Sequence, residues 1–429
     1  MDLVTPPHPE CTVSGIMGFI LRLSRVAGVA PLKFTSTREG YRIQVSHNYS
    51  LYGEAVVLLF VAVSIVAVVM DLTIYKDFSL KATTNANRIV WITDVGIVSL
   101  VVIIGAYTGV KRMRYMIDTV VELKQVDEEL KKFRKPTYIN DRKTLLSLTA
   151  LTFSIGIVFT DYGYFMYKVI MNNGKILTSS LYVFYAISCI KLELLVIQFT
   201  LTSMLILATL MELNNCFDDI LLEMQKNKSV VSKFTVLYTQ TVFKKKSTLI
   251  KSNRVTQEIF DQNTKLNEGN TIIAKKLNQL VRLYGSMSDI IDKVEKSNGI
   301  LLVVLLLSFL LHLVIAPYHL LNGIAHPERN DLWNVVLQVP YAILHFGKLV
   351  MVVEPCHQTH DELDNTKNMI AHLMRYIRHD DFELITEIKT FFRHLNLNQG
   401  LYAPMKLFTL NRSIIVAVSI GLQKDLLFE

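Results

Sequence analysis

Several long apolar stretches of this 429-residue sequence carry charged or amide side chains, which are costly there and need a reason. Asp94 lies in the run 89–109, one turn after Trp91. Asp161 lies in the run 145–170, followed by Tyr162, Tyr164 and Tyr167. The run 181–211 holds Tyr182 and Tyr185, then Lys191 and Glu193. The run 299–321 closes on Tyr318 and His319, and the run 333–353 opens on Trp333 and Asn334. Within that last run Gln338 and Tyr341 stand at i, i+3, on one face of a helix. Carboxylates and amides are the hydrogen-bond partners of a hydroxyl-rich small molecule, and aromatic rings offer flat faces to its C–H surface. Asp94, Asp161, Trp91, Tyr318, Trp333, Gln338 and Tyr341 are therefore the candidate ligand-binding residues.

Two plainer readings compete with a pocket. The aromatic residues alone fit an interfacial belt, and Lys191 fits an ion pair with Asp94 or Asp161. A belt leaves Asp94, Asp161 and Gln338 facing lipid, whereas a hydrated pocket accounts for both sets. Lys191 and Glu193 are two residues apart and do not face one another, so each requires a partner elsewhere. Lys348, near the end of its run, reads as a snorkelling lysine.

The elements that must position these groups are membrane helices. With 51% hydrophobic and 19% charged residues, the composition is that of a membrane protein. Runs long enough to cross a bilayer cover residues 51–72, 89–109, 145–170, 181–211, 299–321 and 333–353. The segment 110–144 holds 10 Lys plus Arg, against 3 and 1 in its two neighbours. Basic loops stay in the cytosol, so the N-terminus is expected there, and the polar groups above share the outer half of the membrane. The first 50 residues show no cleavable signal sequence, because residues 16–22 are an apolar run cut short by Arg22.

Three stripes at helical spacing extend into the cytosol. They run through Leu210, Leu213, Phe217 and Ile220; through Ile273, Leu277, Leu280, Tyr284, Met287, Ile291 and Val294; and through Ile370, Leu373, Ile388, Phe391 and Leu395. Each needs a surface to bury against, either in an intrachain bundle or in one shared between subunits. Residues 225–270 are polar and read as a flexible linker. The division follows: a cytosolic segment 1–50, spans one to four over 51–211, helical extensions and linker over 212–298, spans five and six over 299–353, cytosolic helices over 354–406, and a last helix over 407–429. That last helix has only a ten-residue run, 413–422, before Gln423 and Lys424, a reach of about 15 Å against a bilayer core of about 30 Å, and it reads as a truncated seventh span.

No enzyme signature appears: the sequence has no phosphate-binding loop, nucleophile elbow or HExxH. Four scattered cysteines suggest neither disulfides nor zinc, and Cys356, His357 and His360 lack a fourth metal ligand. The net charge of +8 belongs to loops rather than to nucleic-acid binding. No cofactor is expected.

The stretches LHLVIAPYHL, QVPYAILHFGKLVMVVEPCHQ and LNRSIIVAVS resemble insect gustatory receptors, especially the fructose-receptor branch, as do TDVGIVSLVVIIGAY and FSIGIVFTDYGYFMY. The resemblance implies an all-α polytopic helix bundle of the insect chemoreceptor channel fold. It also implies a ligand-gated cation channel that is a homo- or hetero-tetramer with other gustatory subunits in the plasma membrane, opened by a small sugar, with D-fructose among the candidates. It places Gln338 and Tyr341 at the sugar, the latter stacking on it, and aligns Asp94 and Asp161 with acidic positions of the branch. Ala316 and Pro317 stand where the branch has a small hydroxyl residue. Family members continue beyond NRSI into TY-x5-QF, where this chain has LQKDLLFE. The resemblance therefore implies a sugar-gated receptor whose last helix does not line the pore unaided, or else a non-conducting subunit that regulates full-length partners.

Overall fold

The computed structural model describes residues 11–38, 40–73, 85–133, 141–171, 176–244, 252–325, 332–376, 382–397 and 400–427. The chain is a helix bundle preceded by a small sheet. After strand β1 (Cys11–Val13) come helix α1 (Gly15–Val26), strands β2 (Leu32–Thr37) and β3 (Gly40–Val45), and then helices α2 (His47–Thr73), α3 (Asn85–Tyr107) and α4 (Gly109–Leu130). Helices α5 (Asp141–Met171), α6 (Ile176–Lys244), α7 (Ser252–Ala325), α8 (Leu332–Tyr376) and α9 (Phe382–Leu397) follow; a 3-10 turn at Pro404–Lys406 leads to α10 (Arg412–Leu427).

The sheet is an addition to the all-helical expectation. Its antiparallel order is β1-β3-β2, with Phe34 opposite Ile43 and Leu32 opposite Val45. Alternation turns Cys11, Val13, Leu32 and Ile43 to one face, where Met113, Met116, Ile117 and Val120 of α4 cover them. The loop before β2 meets α2 at a close approach of two glycines. Gly28 has φ +81°, and a Cβ on Gly53 would stand 2.3 Å from the Gly28 carbonyl oxygen.

Among the described residues, five helical segments are long and apolar enough to cross a membrane: α2, α3, Ser180–Lys226 of α6, Ile272–Leu321 of α7 and Val336–Arg375 of α8. The expected third span is α5, 31 residues long and packed along α6. Helix α2 shows why a bilayer is needed, since Leu58, Leu59, Ile65, Val66 and Val69 all point outward from the bundle.

The three amphipathic stripes bury within the chain. Leu213 and Phe217 of α6, Leu280 and Met287 of α7, Ile370 and Leu373 of α8, and Phe391 of α9 share one core. The Phe391 ring stacks on Phe217 at 6.0 Å and meets Tyr284 edge-on at 5.4 Å. Asn214 of α6 ties this core to α8: its amide donates to the Glu362 carbonyl and carboxylate, both at 2.8 Å, and its oxygen accepts from Thr366 Oγ1 at 2.6 Å. The expected linker 225–270 is instead helical up to Lys244 and again from Ser252. It contains no proline and a single glycine, Gly269, so little in it breaks a helix.

Candidate ligand site

Asp94 is the centre of the buried polar layer. Tyr185 of α6 donates its hydroxyl to Asp94 Oδ2 at 2.6 Å, and His312 Nε2 of α7 lies 2.8 Å from Oδ1. The other His312 nitrogen, Nδ1, lies 2.6 Å from the Ser308 carbonyl oxygen one turn back on α7. His312 thus stands between the Asp94 carboxylate of α3 and the Ser308 carbonyl of its own helix, and gives the carboxylate a polar neighbour inside an apolar bundle.

Aromatic rings surround this pair. Trp91, one turn before Asp94, meets Tyr182 and Tyr185 edge-on at 5.3 and 5.1 Å, and Tyr182 meets Phe165 of α5 at 5.4 Å. On the α8 side, His345 stacks on His312 with centroids 4.1 Å apart and planes 15° apart, and Tyr341 continues the row at 6.3 Å from His345. The Tyr341 hydroxyl faces the Asp161 carboxylate of α5. Three helices, α3, α5 and α8, thus bring Trp91, Asp94, Asp161 and Tyr341 near one another.

The remaining expected residues stand differently. Tyr318 donates to Asn87 Oδ1 at 3.3 Å, nearer the start of α3 than Asp94 is. Gln338 is half-buried on the Tyr341 face of α8, and no hydrogen bond joins it to another described residue. The side chain of Trp333 lies outside the described residues. Prolines immediately precede two of the tyrosines: Pro317 lies inside α7 before Tyr318, and Pro340 inside α8 before Tyr341.

His312 and His345 are functional candidates that the sequence reading missed. Each sits in an apolar run, LLHLV and ILHFG, and the available signal was that a histidine so placed must find a polar partner.

The charges of the fourth span also find unexpected partners. Lys191, 1% exposed, pairs with neither aspartate; its ammonium lies over the Phe60 ring of α2, 3.8 Å from the centroid. Glu193, also 1% exposed, pairs with Lys348 at 2.8 Å. Lys348 is 5% exposed and does not snorkel, because it shares the inward face of α8 with His345, three residues earlier. At the helix end, Cys356 donates to the Val352 carbonyl and His360 Nε2 accepts the Tyr402 N–H at 2.9 Å. Among the described residues no group of three or more Cys, His, Asp or Glu could hold a metal.

Fold and site together define a polytopic membrane helix bundle with a polar layer turned into its interior. A model of the 7tm chemosensory receptor family matches residues 17–421, and the chain belongs to that family, one of receptors and not of enzymes. It is similar to the gustatory receptor for sugar taste 43a of Drosophila melanogaster, 23% identical over 421 residues that cover 93% of each chain. Its fold is that of the insect olfactory receptor OR5 from Machilis hrabei, with a TM-score of 0.52 at 11% identity over 96% of both chains. The same receptor in complex with eugenol gives a TM-score of 0.54 at 11% identity over 95% of this chain and 94% of that one.

Proposed function

We propose that this chain is a gustatory receptor subunit of the plasma membrane, a ligand-gated cation channel that assembles as a homo- or hetero-tetramer and opens to a small sugar, D-fructose among the candidates. The observation that carries the reading is the layer in which Asp94, with Tyr185 and His312, lies near Asp161 and Tyr341. Two carboxylates and an aromatic row inside an apolar bundle are the chemistry of hydroxyl recognition. Gln338, on the Tyr341 face, adds an amide that both donates and accepts, and Trp91 adds an aromatic face. The sugar-taste relative agrees with this chemistry. The excess of Lys and Arg in segment 110–144 supports a cytosolic N-terminus.

The test is ligand-dependent thermal stabilisation of the chain purified in detergent. D-Fructose should raise the unfolding midpoint saturably, and Tyr341→Ala and Gln338→Ala should each weaken the effect; identical titrations in wild type and both variants would remove these residues from the site. Cation current evoked by fructose in cells expressing the chain, alone or with other gustatory subunits, tests the channel assignment. An epitope tag placed before Asp2 should stain only permeabilised cells, and staining of intact cells would reverse the topology.

A further inference from the structure

A second polar feature lies where α4, α6 and α7 meet, apart from the ligand layer. Arg112, in the first turn of α4, is 3% exposed. Its Nη2 donates to the Val29 carbonyl at 2.8 Å, while Nε and Nη1 are buried without a hydrogen-bond partner among the described residues. Gln198 of α6 is 5% exposed, and both atoms of its amide are in the same condition. Arg112 and Gln198 line one cavity of about 10 Å³ together with Thr202, Ser297 and Asn298.

The other polar groups of this cavity already have partners. Thr202 donates to the Gln198 carbonyl at 2.9 Å and Ser297 to the Val294 carbonyl at 3.0 Å. The Asn298 amide donates to the Val294 carbonyl and to Ser297 Oγ, both at 2.9 Å. The cavity-lining side-chain atoms buried without a partner among the described residues are thus Arg112 Nε and Nη1 and the two polar atoms of the Gln198 amide. No carboxylate lines the cavity. Burial pushes the Arg112 guanidinium down to about 10, with no acidic neighbour opposing it, so the group is still charged at neutral pH. A buried charge without a counter-charge is costly, and a water molecule would meet the hydrogen bonds but not the charge. The room available, about that of one water molecule, favours a monatomic anion over phosphate or sulfate.

We propose that this cavity binds a small inorganic monoanion of chloride size, held by an N–H of the Arg112 guanidinium and by the Gln198 amide N–H. The anion neutralises the arginine and joins the start of α4 to the facing sides of α6 and α7.

The experiment is the thermal unfolding of the full chain in detergent at constant ionic strength, with gluconate replaced stepwise by chloride, bromide or sulfate. Chloride and bromide should raise the midpoint saturably and sulfate should not. Gln198→Leu should raise the half-saturating chloride concentration by about tenfold or more, the weight of one hydrogen bond to a charged group. Arg112→Gln should abolish the response. A wild-type midpoint indifferent to the anion, or a chloride response undiminished in Gln198→Leu, overturns the proposal, and the second variant serves even where Arg112→Gln fails to fold.

Discussion

The Glu193–Lys348 pair gives the sharpest test of the interior as described. Its partners are 1% and 5% exposed and 2.8 Å apart, so neither charge has recourse to water if the other is removed. Lys348→Met replaces the ammonium by an apolar chain of similar length and leaves the Glu193 carboxylate buried and uncompensated, which costs about 3–5 kcal/mol. The double variant Glu193→Gln, Lys348→Met removes both charges and should recover most of that loss, since replacing a whole buried pair by well-packed neutral groups is often close to neutral. The assay is the thermal midpoint of detergent-solubilised protein by fluorescence size-exclusion, compared for wild type, the two single variants and the double. The order expected is both singles well below the double, and the double near wild type. A double variant as unstable as Lys348→Met would show that the loss is one of packing, and a single variant as stable as wild type would show that the charges are not sealed from water.

Other consequences can be checked independently. Tyr185→Phe removes the hydroxyl donated to Asp94 at 2.6 Å, and should weaken fructose stabilisation through an Asp94 shifted by a lost charge-assisted bond of about 1.5–3 kcal/mol; unchanged titrations would separate Asp94 from the ligand. Gly53→Ala places a Cβ 2.3 Å from the Gly28 carbonyl oxygen, so overpacking of about 1–3 kcal/mol should lower the yield of monodisperse protein, while Gly96→Ala, which meets nothing within 4 Å, should not. Burial pushes the Cys11 thiol up to about 11, with Lys124 only partly opposing. Its raised value favours the neutral thiol, so this contribution to stability is full below about 9 and is lost as pH rises towards about 11. Mass-spectrometric mapping should accordingly find Cys11 alkylated by maleimide at neutral pH only after denaturation.

Much of the bundle was legible because its signals are local. Apolar run length marked the spans, and the stripes Leu277–Leu280–Tyr284–Met287 and Ile370–Leu373 marked faces that the fold buries. The sheet was not legible, since strands of three and six residues with Thr, Ser, Arg and Gln among them carry little pattern, and their apolar face depends on α4, more than 60 residues later. The candidate site was legible in kind but not in pairing. Sequence showed that Asp94 needed a partner; that the partner is His312, and that Lys191 turns instead to Phe60, depends on how α3, α6 and α7 are rotated against each other. Snorkelling was a reasonable expectation for Lys348 only while the position of Glu193 across the helix interface was unknown.

The proline before each of Tyr318 and Tyr341 acquires meaning beside the Asn214 clasp. A proline inside a helix removes one backbone hydrogen bond and leaves a bendable joint. Both joints carry an aromatic residue of the candidate site on the very next position. Further along α8, three hydrogen bonds from Asn214 to Glu362 and Thr366 hold it against α6 in a fixed register, and sliding by one turn would break all three. Pro355 stands between Tyr341 and that clasp, so α8 is pinned at its far end and jointed twice before it, and a displacement of Tyr341 meets a second joint before it reaches the pinned end.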